Sequence, residues 1–338
     1  MAGALAMAFA LSACAPEVQM PVPTPEYTST YEPPPPTALA PLTGETVALD
    51  SLTAPSIAAK IDNHPAARPQ VGLERADLVF EELVEGGLSR YVAVWHSDVP
   101  DEIGPVRSIR PMDPDIISPL GGIVAYSGGQ YQYVQAMKDT PVYNAIHGQP
   151  DTRDTFYRTD LKRSPHDVIV KAPVVISQHL DLAAPVQQFA FSLDVASSTA
   201  AKEGSLTSSM DLVLGGSAKP SWVWDEARGQ WLRFMTGGDP DTDFAGAQLG
   251  TVNVVVLRVD VTYAKVIPKT ELLGSGEAWV STGGRTVHGT WSKSSPVSPI
   301  HLVDDNGVTI RLAPGNTWIE LVPTNRVGSV TFNAPPTT

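Results

Sequence analysis

The chain of 338 residues contains one cysteine, Cys14. A single thiol excludes an intrachain disulfide, a cysteine-based zinc site and a Cys/His catalytic pair from the folded part. Positive charge is also scarce: 23 Lys and Arg stand against 36 Asp and Glu, a formal net charge of −13. Such a surface as a whole repels nucleic acid and anionic lipid, so no nucleic-acid partner is expected and any anion site must be local. Several catalytic signatures are missing. There is no P-loop, no HExxH, no G-x-S-x-G elbow, and Ser127-Gly128-Gly129 has no adjacent Lys to make a serine/lysine enzyme. The sequence therefore names no reaction.

What is there begins with MAGALAMAFALSA, an apolar run too short to span a bilayer as a helix. Leu11-Ser12-Ala13-Cys14 follows at once. Small residues before the cleavage point admit a peptidase, and the Cys14 thiol is the nucleophile that would take a diacylglyceryl group. Residues 1–14 thus read as a signal peptide with a lipobox, although no Lys or Arg precedes the apolar core. The expected location is extracytoplasmic, with the chain held to the cell membrane by its lipid. Residues 15–42 are rich in proline and lack periodicity, and no basic residue occurs before Lys60. They read as an extended linker of roughly 3 Å per residue.

The expected fold class is α+β, with an N-terminal mixed α/β domain on a central sheet over 43–185 and a smaller, mostly β domain over 186–332. Ile57–Ile61 reads as a strand. Ala76–Leu83 and Leu88–Trp95, joined by Val84-Glu85-Gly86-Gly87, read as a hairpin. Gly121–Ser127 reads as a buried strand that delivers a Gly-Gly turn to a helix over Gln130–Lys138, a geometry that receives anions when it is not simply a turn. Helical spacing continues at Val174–Leu182. Thereafter strands are expected at Gln188–Leu193, Ser221–Trp224, Gln230–Phe234, Thr251–Val259, Gly276–Thr282, Val287–Trp291, Ile300–Val303, Val308–Ala313 and Trp318–Val322, with the later ones forming a meander. Six tryptophans lie in this half. They suit core and cross-strand packing more readily than a sugar-stacking platform.

Eight of the fourteen arginines fall between Lys60 and Lys171. Arg107 and Arg110, in a stretch bounded by Pro105 and Pro111, offer guanidinium forks on a restricted backbone, which suits phosphate or carboxylate recognition. Arg153, Arg158, Lys162 and Arg163 form a second basic group, followed by Pro165-His166-Asp167. Two readings are open. The arginines share one anion site, or they pair structurally with Glu81, Glu82, Glu85, Asp113, Asp154 or Asp160. His147 and His166 are proton carriers by type, and Asp62, Glu81, Glu82 and Asp113 are bases or hard-cation ligands by type. None of their spacings matches a metal motif, so no metal site is assigned.

Several stretches carry a resemblance. They are Lys60-Ile61-Asp62-Asn63-His64-Pro65-Ala66-Ala67-Arg68-Pro69-Gln70, Ala76–Glu82 with Glu85-Gly86-Gly87, Gly104–Arg110, Phe156-Tyr157-Arg158 and Ser164-Pro165-His166. Trp224-Asp225 through Arg233 and Asn316-Thr317-Trp318 continue the series. With these the chain resembles the YerB-like lipoproteins, a bacterial family built around a domain of unknown function. The resemblance implies an N-terminal α/β domain and a smaller β-rich domain on a lipid anchor, with no settled activity. The order of strand, P-V-R-S-x-R, strand and Gly-Gly also looks like the LytR-CpsA-Psr phosphotransferases, which grip a lipid-linked pyrophosphate with arginines. By that analogy only Arg107 and Arg110 carry over, as phosphate ligands.

The functional expectation is a cell-envelope lipoprotein that binds an anionic wall glycopolymer or lipid-linked glycan precursor. Arg90, Arg107, Arg110, Arg158 and Arg163 would hold charge and Ser108 would donate a hydrogen bond. No cofactor is expected for binding. The alternatives are a phosphotransferase or hydrolase using the same arginines, with Asp113 or His166 as base and Mg²⁺ as the metal such chemistry calls for, and a scaffold for wall enzymes.

Overall fold

The structure is a computed structural model and describes residues 32–325 and 327–336. Cys14, the apolar run before it and the linker as far as Tyr31 lie outside the described residues. In chain order the strands begin with the small hairpin β1 (Thr37–Leu39) and β2 (Thr46–Ala48), followed by β3 (Ile57–Asp62), β4 (Leu78–Leu83) and β5 (Ser89–Trp95). Helix α1 (Asp113–Ile117) precedes β6 (Ile123–Tyr126), and α2 (Tyr131–Lys138) precedes β7 (Tyr143–Ile146). A second small hairpin, β8 (Phe156–Arg158) and β9 (Val168–Val170), leads to α3 (Ala172–Ser177) and α4 (Thr199–Glu203). The remainder is β: β10 (Ser205–Leu206), β11 (Ser209–Val213), β12 (Ser221–Asp225), β13 (Gln230–Phe234), β14 (Gly250–Thr251), β15 (Asn253–Ala264), β16 (Ile267–Glu271), β17 (Gly274–Thr282), β18 (Arg285–Lys293), β19 (His301–Asp304), β20 (Thr317–Pro323) and β21 (Ser329–Asn333).

Twelve strands make one mixed sheet, in the order β10-β18-β17-β15-β20-β4-β5-β3-β6-β7, with β16 on β15 and β19 on β18. Every residue of β3, β4 and β5 is buried because both faces of this sheet are covered. Alternation assigns the faces. Ala58, Phe80, Val92 and Val124 join the core beneath α1 and α2, together with Ile116 and Met137. Ile57, Ala59, Val79, Tyr91 and Ala93 join the opposite core, with Met210, Trp222 and Trp231. Those last three belong to a separate antiparallel sheet, β14-β13-β12-β11-β21, which covers the second face. The fold is α+β. From Pro36 onward it forms one compact unit, and its main sheet draws strands from both sides of residue 185.

The β4–β5 hairpin, the strand at 57–61, α2 and the β12–β13 pair follow the sequence expectation. Four segments differ. Gln188–Leu193 buries Phe189 and Phe191 by alternation, yet meets its neighbour only through a bridge between Phe191 and Leu312, so neither it nor 308–313 is a strand. The helix expected at 174–182 is α3, which starts earlier, at Ala172-Pro173, because proline suits a helix N-terminus, and it ends at Ser177. Trp318–Val322 does not close a meander: β20 lies parallel between β15 and β4. Its residues are buried on both faces, a pattern that carries no sign of which strands will flank it.

Candidate functional site

β3, β4, β6, β7, β15 and β20 all run in one direction, as their parallel pairings and the shared antiparallel partner β5 require. Ligands of sheets with parallel strands gather beyond the carboxyl ends, where the chain leaves the ladder and its polar groups are free. Here β3 delivers Asp62 to that end, the turn after β4 delivers Glu85, and the first residues of β5 place Arg90 there. The segment Gly104–Arg110 crosses the same end. Val106 bridges Ile61, Arg107 N donates to Lys60 O (2.7 Å), and Ile109 N donates to Gly128 O (2.9 Å). Gly104 permits this crossing, since a Cβ there would stand 2.9 Å from Val168 O.

Three of the arginines singled out in the sequence meet around Ser108. Arg90 and Arg110 both donate to its carbonyl, at 2.9 and 3.2 Å. Burial, and after it the charges of Arg110 and Arg107, push the Arg90 guanidinium down to about 10. Arg110 Nε pairs with Glu85 Oε2 at 2.9 Å. Burial raises the Glu85 carboxyl, but the hydrogen bond from Arg110, a backbone hydrogen bond and the Arg110 and Arg90 charges together outweigh it and leave the group below its ordinary value. Arg107 Nε lies 3.0 Å from Asp62 Oδ2, and an Arg107 NH1 hydrogen bond to Pro165 O (3.1 Å) ties it to the loop before β9. Arg90 has no carboxylate within ion-pair distance among the described residues. Arg107, Ser108 and Arg110 are half-buried and reach solvent.

The same loop brings His166. Its Nδ1 lies 2.6 Å from Asp62 Oδ2, and the ring stacks on His64 with centroids 4.6 Å apart. His64 N donates to Asp62 Oδ1, so this carboxylate is engaged on both oxygens. With Nδ1 directed at a carboxylate, Nε2 of His166 is left without a hydrogen-bond partner among the described residues. Arg158 stands apart, paired with Asp167 at 2.6 Å, and burial with the Arg158 charge holds His147 below its ordinary value. Arg163 is exposed in the β8–β9 connection and makes no ion pair among the described residues. Asp113 is enclosed: it accepts from Arg110 N and lies 2.7 Å from Lys60 Nζ.

Lys60 went unnoticed in the sequence, although a lone lysine inside an apolar strand was a signal. It is fully buried between Glu82 and Asp113, and burial drives its ammonium down to about 8 against the pull of Asp113. Arg233 was missed in the same way. On the other face of the sheet it ion-pairs with Glu81 (2.6 Å) and Asp241 (3.2 Å) while its guanidinium lies 4.9–5.6 Å from the rings of Tyr91, Trp222 and Trp318. Among the described residues no group of three or more His, Asp or Glu is arranged to hold a metal ion.

Together, fold and site define an α+β protein in which a mixed central sheet, backed by a separate antiparallel sheet, carries an ionic cluster at the carboxyl end of its parallel strands. The chain belongs to the family described as "Protein of unknown function (DUF3048)", whose N-terminal domain matches residues 42–184 and whose C-terminal domain matches residues 210–319. It is 31% identical over 128 residues to "Putative lipoprotein YerB" of Bacillus subtilis (strain 168). That match spans 38% of this chain and 38% of the relative's length. The crystal structure of the YerB protein from Bacillus subtilis shares the fold, with a TM-score of 0.73 at 21% identity over 87% of this chain and 99% of that one.

Proposed function

We propose that this chain is an extracytoplasmic lipoprotein, anchored through Cys14, that binds an anionic group of the cell envelope at the Arg107-Ser108-Arg110 rim. Support for the anchor comes from the Leu11-Ser12-Ala13-Cys14 tetrapeptide and from the printed name of the relative. Support for the ligand comes from one observation above all: two guanidinium groups, Arg90 and Arg110, crowd one carbonyl, and among the described residues only Arg110 has a carboxylate at ion-pair distance. Lys60 beneath the rim is already answered by Glu82 and Asp113. Three cations, the buried Arg90 and the half-buried Arg107 and Arg110, therefore stand against two carboxylates, the buried Asp62 and the half-exposed Glu85, and a phosphate or carboxylate completes the balance. Glu85 is the group a ligand displaces, because it is half-exposed and sits on the turn after β4.

The test is retention on purified anionic wall polymer, together with titration of inorganic pyrophosphate. Arg107→Ala and Arg110→Ala each remove a charge-assisted contact and should weaken binding by more than about tenfold. Glu85→Gln should strengthen it by freeing Arg110, and added salt should weaken the wild type. Unchanged retention in both alanine variants would show that these arginines serve the fold alone.

A second reading rests on a separate observation, the Asp62–His166 contact. A histidine oriented by a carboxylate that Arg107 also contacts, with no partner for its other nitrogen among the described residues, is equipped to take a proton from water attacking a phosphate ester. In that reading His166 is the base and Asp113 a structural group. Turnover of a lipid-linked glycan phosphate that vanishes in His166→Ala is the expected sign, and absence of turnover across a phosphate-ester panel leaves binding as the function.

A further inference from the structure

A cavity of about 520 Å³ lies elsewhere, where β17 and β18 of the central sheet face β21 of the smaller sheet. Its floor is aromatic. Trp279 is half-buried, with the Phe332 ring at 5.5 Å and the His288 ring at 5.3 Å. The other half-buried or buried tryptophans of this region, at 222, 224, 231, 291 and 318, line none of this hollow. The rim carries hydrogen-bonding side chains, among them Asp305, Asn306 and Asn333. Two of these are held in place by neighbours: Asp305 lies 2.7 Å from His288 Nδ1, and Asn333 Nδ2 donates to Ser209 Oγ and Asp211 Oδ2. That leaves the side-chain amide oxygen of Asn333, Oδ1, as an acceptor without a donor among the described residues.

We infer that this cavity is a binding site for a neutral oligosaccharide. A pyranose ring offers an apolar C–H face and a belt of hydroxyls that both donate and accept. The first fits the Trp279 floor and the second fits amide and carboxylate side chains fixed around it. Charge sets the choice of ligand. Among the described residues no Lys or Arg lines the cavity, while Glu203, Asp304 and Asp305 do, so an anionic polymer is repelled here although it is attracted to the arginine rim. A volume of this size accepts two or three sugar rings. This site is independent of the arginine rim, and the envelope-binding role gains a second, uncharged point of contact.

The experiment uses the purified chain, isothermal titration and saturation-transfer NMR. The probes are a β-1,4-linked N-acetylglucosamine tetramer, a β-glucan tetramer and, as the acidic control, polygalacturonate. At least one neutral probe should bind, with saturation reaching its ring C–H protons from aromatic protons of the protein. Trp279→Ala should weaken that binding by about tenfold or more. Leu206→Arg should do the same by filling the mouth from an exposed position, and it decides the matter if the Trp279 variant loses its fold. Arg107→Ala should leave it unchanged. The inference is overturned if neither neutral probe binds at concentrations up to about 10 mM, a range that covers weak sugar sites. It is equally overturned if Leu206→Arg binds like wild type, or if polygalacturonate binds this cavity more tightly than the neutral probes.

Discussion

Glu81 and Glu82 are neighbours in β4 and project to opposite faces of the sheet, so each must find its own buried cation. Glu82 meets Lys60 and Glu81 meets Arg233. The second cluster holds a further carboxyl, because the parallel register sets Glu320 of β20 directly beside Glu81. Burial and the Glu81 charge raise the Glu320 carboxyl well above its ordinary value, and Trp222 Nε1 donates to it at 2.9 Å. The sign of the pH effect follows. A carboxyl whose folded pKa exceeds its unfolded one contributes stability that is full below the unfolded pKa and is lost as pH rises toward the folded pKa. Glu320→Gln keeps the shape and the acceptor for Trp222 while removing the titration. It is expected to be no less stable than wild type at about pH 5 and more stable by about 1 kcal/mol or more at about pH 8, read from urea midpoints. A wild-type advantage at the higher pH would mean that the ionised carboxylate is the form this cluster needs.

At the scale of elements, β6 depends on the residue that introduces it. Gly122 has φ +62°, and a Cβ there would stand 2.5 Å from Ser56 O, the backbone that leads into β3. An alanine would carry the left-handed strain and push β6 off the edge of β3, where the ladder needs Ile57 opposite Ile123. Gly122→Ala is expected to cost about 2 kcal/mol or more. It should also weaken pyrophosphate binding by the chain that remains folded, since the stretch after β6 holds Ile109 and so sets the arginine segment. A thermal midpoint close to wild type would show that the Ser56 backbone gives way. The sequence revealed β6 itself through its apolar run and glycine flanks. That Ser127 and Gly128 would hold the backbone of Arg107 and Ile109 was not legible, because nothing local marks a hydrogen bond between segments twenty residues apart.

For the molecule as a whole, the decisive contact is β20 between β15 and β4. The two family domains divide the sequence at 184 and 210, whereas the sheet runs without a break from one into the other. A fragment of residues 36–185 would present β4, fully buried in the intact chain, as an open apolar edge, and it would uncover Val79, Tyr91 and Ala93 by losing the five-stranded sheet. It would also leave Glu81 without Arg233. The fragment is expected to aggregate or to lack cooperative unfolding in circular dichroism and size-exclusion measurements, while residues 36–338 unfold as one transition. A monomeric fragment with a sharp transition would show that the first part folds without β20.

The sequence by itself determined what depends on neighbours along the chain: the lipobox pattern, the proline-rich stretch, the β4–β5 hairpin with its glycine turn, and the concentration of arginine in an acidic protein. Composition also set the limits on cysteine chemistry, since one thiol cannot pair with itself. Tertiary structure alone decided which charges meet. Arg107 faces Asp62, Arg110 faces Glu85, Arg90 is left without a carboxylate at ion-pair distance among the described residues, and His166 comes to Asp62 from 104 residues away. The reason is physical: alternation along a strand fixes the face to which a side chain points, but sheet order and register fix what it finds there, and those follow from the burial of both faces taken together.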